Sequence, residues 1–132
     1  MTSLGIARDA EDDPVAARQS MEAAIKSAAL PGKVAVQVAV IPDGSRPGMI
    51  ETLLVQSVSG SEEFRCVERF FECATAAGVL LPEGPIIAKH QVQVFLATRR
   101  KAQMMPGIAA YDGVWPFDDP LFDAVSDFLK KL

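Results

Sequence analysis

Four carboxylates within five positions could carry chemistry in this sequence. They lie in "LGIARDAEDDP", Leu4–Pro14, directly after a short apolar run. Asp9 and Glu11 are two residues apart, so their side chains can point the same way where an extended backbone persists. Two such carboxylates repel each other unless a cation or a shared proton offsets the charge, and their hard oxygen atoms suit Mg²⁺ or Mn²⁺. A metal pair and two solvated acids in a loop are both open interpretations.

The other two carboxylates have a simpler interpretation, because the tripeptide "DDP" occurs twice. It stands at residues 12–14 and again at residues 118–120, each time before a predicted helix. Asp accepts hydrogen bonds from the free amides of a first helical turn, and Pro fits the first helical position. We therefore interpret Asp12 and Asp13 as helix-capping residues rather than catalytic ones.

A second acidic group lies in "PDGSRPGMIE", Pro42–Glu51, after a valine-rich run. Asp43 stands where that run ends, and an Asx turn would explain it. Glu51 falls in the first turn of the next predicted helix, where the macrodipole favours a negative charge. The alternative is that both join Asp9 and Glu11 at one edge of the sheet. Four carboxylates there would be the usual makeup of a two-metal phosphodiester site.

The elements that would position these acids begin with two strands. One is predicted at Leu4–Arg8 and the other at Lys33–Pro42, where valines follow one another with few polar breaks. A strand buried on both faces has this composition, which indicates a parallel sheet covered by helices. A helix that starts at Pro14 and stops at Leu30–Gly32 connects the two strands. The carboxyl ends of parallel strands share one edge, where α/β proteins bind ligands.

The rest of the chain is predicted to be mainly helical. Four helices are expected. The second carries Phe64, Val67, Phe71 and Ala74 on one apolar stripe, and the last is expected to be docked through an apolar stripe of its own. The four helices cover the segment "MIETLLVQSV", residues 61–78, residues 86–99 and Pro120–Leu132. In residues 86–99, Val92 and Val94 also alternate as in a strand, but the length of the segment and the proline before it favour a helix.

Composition and charge limit the classes of function. A chain of 132 residues with 49% hydrophobic and 23% charged residues is expected to be one globular domain, residues 1–132. Its net charge of −4 gives no general attraction to nucleic acid or to anionic lipid. The one dense basic cluster, "RRKAQ" at Arg99–Gln103, is interpreted as a solvated loop.

The cysteines and the hydropathy bear on the cellular compartment. Cys66 and Cys73 are seven residues apart in one predicted helix, too far for a disulfide, so both are expected to be reduced core thiols. No apolar run is long enough to span a membrane, and no secretion leader is recognisable. These features predict a cytoplasmic protein with no membrane partner.

The sequence resembles an uncharacterised Toprim-like family, related to the Toprim nuclease domain of overcoming-lysogenization-defect proteins. The resemblance runs over nearly the whole chain. It is carried by "LGIARDAEDDP…ARQSMEAAI", "VAVIPDGSRPGMIETL", "AKHQVQVFLATR" and "YDGVWPFDDPLFDAVSDFL". It implies an α/β, Toprim-like sandwich with a small, mainly parallel sheet flanked by helices. Such domains bind Mg²⁺ or a similar ion and break or join phosphodiester bonds.

The resemblance also implies roles for particular residues. Asp9 and Glu11 match the acidic pair of Toprim domains, with glutamate in place of the second aspartate. Glu51 matches a further acidic position, and Asp43 could assist. Lys89 of "AKHQ" resembles a lysine that offsets charge on the attacked phosphate, although a surface lysine on an amphipathic helix is the alternative. His90 is interpreted as a helix-surface or packing residue, because the chain has no second histidine.

Members of that family usually have a further strand and helix before the strand that ends in "DA", and these carry another glutamate. Only three residues precede Leu4 here, so that segment is expected to be missing. Two functions are therefore expected. One is a Mg²⁺- or Mn²⁺-dependent nuclease or phosphodiester-processing domain, active or degenerate, with nucleic acid as a possible partner through the metal. The other is a non-catalytic module that forms a homo-oligomer through an unpaired strand.

Overall fold

The computed structural model describes residues 2–101 and 104–132, and this part of the chain has an α/β architecture. Met1, and Ala102 and Gln103 of the predicted basic cluster, lie outside the described residues. In chain order the elements are β1 (Thr2–Asp9), α1 (Pro14–Ala28), β2 (Val34–Ile41), α2 (Ile50–Val58), α3 (Glu62–Ala76), a 3₁₀ turn (Gly84–Ile86), α4 (Ile87–Ala97), α5 (Pro106–Tyr111), a second 3₁₀ turn (Pro120–Phe122) and α6 (Asp123–Lys130).

The two strands pair in parallel, as the valine-rich composition predicts. Their register runs from Thr2 opposite Val34 to Asp9 opposite Ile41. In the described part of the chain these two strands are the whole sheet. The predicted fold class, α/β with a small parallel sheet flanked by helices, is confirmed.

The chain divides into two compact units. One consists of residues 2–50 together with residues 120–132 and is called the sheet unit here. The other consists of residues 51–119 and is called the helical unit. The sheet unit contains β1, α1, β2 and α6, whereas the helical unit contains α3, α4, α5 and all of α2 except its first residue.

Helix α1 covers one face of the sheet. Its buried residues Ala17 and Met21 pack with Ala10 and Val40, and the partly buried Ile6 and Val38 join this cluster. Ile6 and Val38 are also opposite each other in the strand register. Because alternate strand residues share a face, these side chains form one apolar layer beneath the helix. This layer supports the strands that end at Asp9 and Ile41.

Helix α6 and the residues after it cover the opposite face of the sheet. A Cβ atom built at Gly5 would lie 2.6 Å from the side chain of Leu132 and 3.0 Å from that of Phe128. The absence of a side chain at Gly5 therefore lets the end of the chain approach β1 closely. The Ser3 hydroxyl also donates a hydrogen bond to the Leu132 carbonyl. The expected docking of the last helix is thus seen, although it starts with a 3₁₀ turn and not as one continuous helix from Pro120.

The helical unit has an apolar core to which α3 contributes the predicted stripe. Phe64, Val67 and Phe71 are all buried, as the three- and four-residue spacing requires. The same spacing explains a wrong prediction. Cys66 and Cys73 each lie two positions beyond a buried phenylalanine, and both are exposed free thiols rather than core thiols.

Helix α4 confirms the predicted helix in the segment whose alternating valines also suited a strand. It is shorter than predicted, Ile87–Ala97, and buries Ala88, Val92, Phe95 and Leu96. These positions fit a period near 3.6 rather than 2. None of the helices within residues 2–101 and 104–132 combines the length and the apolar character needed to cross a membrane.

Candidate functional site

Asp9 is the last residue of β1, and its carboxylate is fixed by the start of another element. Its Oδ1 accepts a hydrogen bond of 2.9 Å from the backbone N–H of Ile50, the first residue of α2. Such a bond satisfies one of the free amides at a helix N-terminus. Among the described residues, the second oxygen, Oδ2, has no hydrogen-bond or ion-pair partner. Asp9 therefore lies in a defined position with one oxygen atom uncommitted.

Glu11 is fixed through its backbone. Its N–H donates to the Gly48 carbonyl and its carbonyl accepts from the Gly48 N–H, both at 2.8 Å. This antiparallel bridge joins the loop after β1 to the loop after β2. Glu11 has a φ of +52°, in the left-handed region that glutamate rarely adopts, while its side chain is exposed. The loops thus keep the first acidic pair, Asp9 and Glu11, at the carboxyl edge of the sheet.

The predicted helix cap at Asp13 is confirmed. Asp13 Oδ1 accepts hydrogen bonds of 2.9 Å from the N–H groups of both Val15 and Ala16, and Pro14 is the first residue of α1. One carboxylate thereby satisfies two of the four free amides of the helix. Asp12 is exposed beside it.

Asp43 is engaged within its own loop. Its Oδ1 accepts hydrogen bonds from the backbone N–H and the hydroxyl of Ser45 and from the N–H of Arg46. Its Oδ2 forms an ion pair with Arg46 Nε at 2.6 Å. Desolvation raises the pKa of Asp43, but the hydrogen bonds from Ser45 and Arg46 together outweigh it and hold the pKa below its ordinary value. This is the Asx turn that the sequence left as an alternative to metal ligation.

A cavity of about 260 Å³ lies beside Asp43 within the sheet unit. Its walls come from β2 and α6, and two cationic side chains, Arg18 and Lys131, line it. Arg18 Nη2 lies 3.4 Å from the position that a Cβ atom would take at Gly44, which has a φ of +83°. Neither cation has an acidic partner within the described ranges. The cavity therefore offers positive charge close to the loop that Asp43 holds.

Glu51 belongs to the helical unit, in the first turn of α2. Its Oε2 is buried and has no hydrogen-bond partner among the residues that the structure describes. A buried polar atom without a partner carries a desolvation cost, so this oxygen is available to accept a hydrogen bond or to bind a cation. Lys89 and His90 are exposed on α4 in the same unit. Their exposure fits the interpretation of Lys89 as a surface lysine and of His90 as a helix-surface residue.

The metal ion that the sequence implies, Mg²⁺ or Mn²⁺, needs oxygen ligands that lie close together. Within residues 2–101 and 104–132, no three His, Cys, Asp or Glu side chains lie together as a protein-only metal centre would need. Mg²⁺ commonly uses one or two carboxylates and completes its shell with water and substrate phosphates. The free Asp9 oxygen and the buried Glu51 oxygen are each a carboxylate ligand of the kind that Mg²⁺ binds.

Three residues around this edge had no role in the sequence interpretation. Gly48 bridges Glu11, Arg46 pairs with Asp43, and Arg18 lies beside Gly44. The glycine- and proline-rich sequence around Arg46 and Gly48 indicates a loop. It does not indicate which residues Arg46 and Gly48 contact. Arg18 carried no signal, because its place depends on how α1 packs on the sheet.

Comparisons with known proteins give one match. No curated protein and no solved structure matches the chain. The sequence model of one family, described as "Protein of unknown function (DUF3226)", matches residues 1–132. The match covers the chain from end to end, and the chain therefore belongs to the DUF3226 family of proteins of unknown function.

Proposed function

We propose that this protein is a Toprim-like domain that binds Mg²⁺ or Mn²⁺ at the carboxyl edge of its sheet and acts on phosphodiester bonds. Asp9 and Glu11, both in the sheet unit, are the proposed ligands. The resemblance of the sequence motifs supports the reaction class, and the observation that carries the site is the geometry of Asp9.

The carboxylate of Asp9 suits metal binding because it is already held in place. The Ile50 N–H holds one oxygen at 2.9 Å and so fixes the carboxylate, while the other oxygen has no partner in the described chain. A ligand held before the ion arrives loses less conformational freedom on binding. The bridge between Glu11 and Gly48 restrains the adjacent loop in the same way.

The other charges near this edge suit a phosphate-bearing substrate. A bound divalent ion would polarise a phosphate oxygen and neutralise part of its charge. Arg18 and Lys131 line the cavity beside Asp43 and could contact further phosphate oxygens. Asp43 itself holds the loop, so we assign it a positioning role, with metal contact only if its ion pair with Arg46 opens.

The test uses Asp9→Asn, which replaces the charge and keeps a side-chain oxygen that can accept from Ile50. Calorimetric titration with Mg²⁺ and Mn²⁺ is expected to show binding to the unchanged protein. Loss of a carboxylate ligand should weaken binding by about tenfold or more, since a charged ligand is worth about 1.5–3 kcal/mol. Asp12→Asn removes an equal charge nearby and is expected to change the affinity by less than about threefold.

Two results would refute the metal proposal: no binding heat with either ion, or equal losses in Asp9→Asn and Asp12→Asn. If both ions bind as expected, cleavage of a labelled single- or double-stranded oligonucleotide with Mn²⁺ tests the phosphodiester reaction. Binding without cleavage would restrict the function to that of a degenerate, metal-binding domain.

The open sheet edge supports a second candidate, the non-catalytic homo-oligomer. The Ala10 N–H donates to the Ile41 carbonyl at 2.8 Å, so that carbonyl faces the β1 side. The N–H and C=O groups of successive residues point to alternate sides of a strand, so those of Val36, Val38 and Val40 point away from β1. The described residues supply no further strand on that side. Unpaired strand edges favour the addition of another strand.

Light scattering across a range of concentrations tests this candidate. We expect a mass above that of one chain, and Val36→Pro is expected to lower it because proline removes an outward N–H while remaining tolerable at an edge. Circular dichroism checks that the variant folds. A constant monomer mass at high concentration contradicts the oligomer.

A further inference from the structure

A second cavity lies wholly within the helical unit, and its wall contains an arginine whose hydrogen-bonding capacity is unused. The cavity has a volume of about 410 Å³ and is lined by Phe95, Arg99 and Trp115, with Ser61 and Glu63 at its side. The Nε of Arg99 is buried and has no hydrogen-bond partner in the described part of the chain. A buried guanidinium N–H without an acceptor is costly, and this suggests that the acceptor is a ligand.

The orientation of Arg99 is fixed by stacking. Its guanidinium carbon lies 4.0 Å from the centre of the Phe95 ring, within the range of a cation–π interaction. Phe95 in turn stacks on Trp115, with ring centres 5.5 Å apart and an angle of 28° between the planes. Trp115 is itself anchored, because its Nε1 donates to the Pro106 carbonyl at 3.2 Å. The three side chains form a layered stack, so the guanidinium is held in place before any ligand binds.

A further donor is available beside the stack. Ser61 Oγ caps α3 by accepting from the Phe64 N–H at 3.1 Å, which leaves its own proton free to donate. Arg99 lies two residues after the end of α4, where the negative end of the helix macrodipole favours a cation. Arg100 and Lys101 come next in the chain, and Lys101 lies 4.0 Å from Asp112. The cavity therefore combines a guanidinium and a hydroxyl proton that can both donate to an anion.

We infer that this cavity binds a phosphate group through Arg99 and Ser61, either in a small phosphate-bearing molecule or in a nucleic-acid backbone. A guanidinium offers a fork of N–H groups that matches phosphate oxygens, and a hydroxyl proton can donate to another oxygen. The negative charge of Glu63 repels a bound anion and so lowers the affinity for phosphate. Removing that charge is therefore a direct test of the site. The site shares no residue with the proposed metal ligands.

The single tryptophan of the chain reports on this cavity directly. Fluorescence is titrated with inorganic phosphate in the presence of a metal chelator, against chloride at the same ionic strength. We expect a saturable change with an affinity in the millimolar range. The chelator separates this site from the metal proposal, because either one can fail while the other succeeds.

Variants then identify the group that binds. Arg99→Gln is expected to weaken phosphate binding by about tenfold or more, and Arg99→Lys by an intermediate factor because the charge stays but the fork is lost. Arg100→Gln removes an equal charge that does not line the cavity and should change binding by less than about threefold. Glu63→Gln is expected to tighten binding, because it removes the like charge.

A single-stranded oligonucleotide without terminal phosphates distinguishes the two sources. Binding that depends on Arg99 and falls steeply with salt assigns the site to a nucleic-acid backbone. Binding of free phosphate alone assigns it to a small molecule. The inference is overturned by an absence of saturable change, by equal losses in Arg99→Gln and Arg100→Gln, or by weaker binding in Glu63→Gln. If Arg99→Gln fails to fold, Arg99→Lys and Glu63→Gln still decide.

Discussion

Replacing Phe95 with alanine is expected to lower the free energy of unfolding by about 3–5 kcal/mol, the range for a large aromatic side chain removed from a core. Phe95 is 2% exposed. Its ring centre lies 6.0 Å from that of Phe64 and 5.5 Å from that of Trp115, and Arg99 stacks on its face. The substitution leaves a cavity and removes two ring–ring contacts and one cation–π contact, which neighbouring helices cannot replace without moving.

Urea unfolding followed by circular dichroism measures this change. Phe70→Ala is the matched control, because Phe70 is on α3 in the same unit but is 54% exposed. Phe70→Ala is expected to lower the free energy of unfolding by less than about 1 kcal/mol, since most of the Phe70 side chain is already in water. Equal losses for the two variants would show that the stack around Phe95 does not form the core of the helical unit.

Replacing Met21 with alanine is expected to lower the free energy of unfolding by about 2–5 kcal/mol. Met21 is 5% exposed and belongs to the apolar layer between α1 and the sheet, with Ala17 and Val40. The layer is small, and its other members are mostly short side chains. Few neighbours can therefore fill the space that the longer side chain leaves.

Glu22→Ala is the control for Met21→Ala, because Glu22 is the next residue of α1 and is exposed. A change within about 0.5 kcal/mol is expected there. Thermal unfolding followed by calorimetry compares the two variants. A loss in Met21→Ala as small as that of the control would mean that α1 does not pack on the sheet through this face.

Local signals in the sequence predicted the local structure well. The cap at Asp13 uses amides only two and three residues away, so residue types and spacing are enough to predict it. The strands and the stripe of α3 follow from periodicity in the same way. Helix α5 was not anticipated, because Pro106–Tyr111 is too short for periodicity to distinguish it from a turn.

Local sequence patterns do not predict contacts between residues that are distant in the chain. The hydrogen bond from Ile50 to Asp9 joins residues 41 positions apart, and the bridge from Glu11 to Gly48 depends on how two loops meet. The sequence identified both acids by type but not the partners that hold them. It also led to the interpretation of Arg99 as part of a solvated loop. Its place on Phe95 depends on the packing at the end of α4, which no local pattern encodes.

The division of the chain has a consequence for its synthesis on the ribosome. Residues 2–50 emerge before residues 51–119, whereas α6, which packs on β2, emerges only after them. Throughout translation of residues 51–119, one side of the nascent sheet therefore lacks its helical cover. A partly built strand pair with bare apolar surface is the kind of species that chaperones recognise and that aggregates when they are scarce.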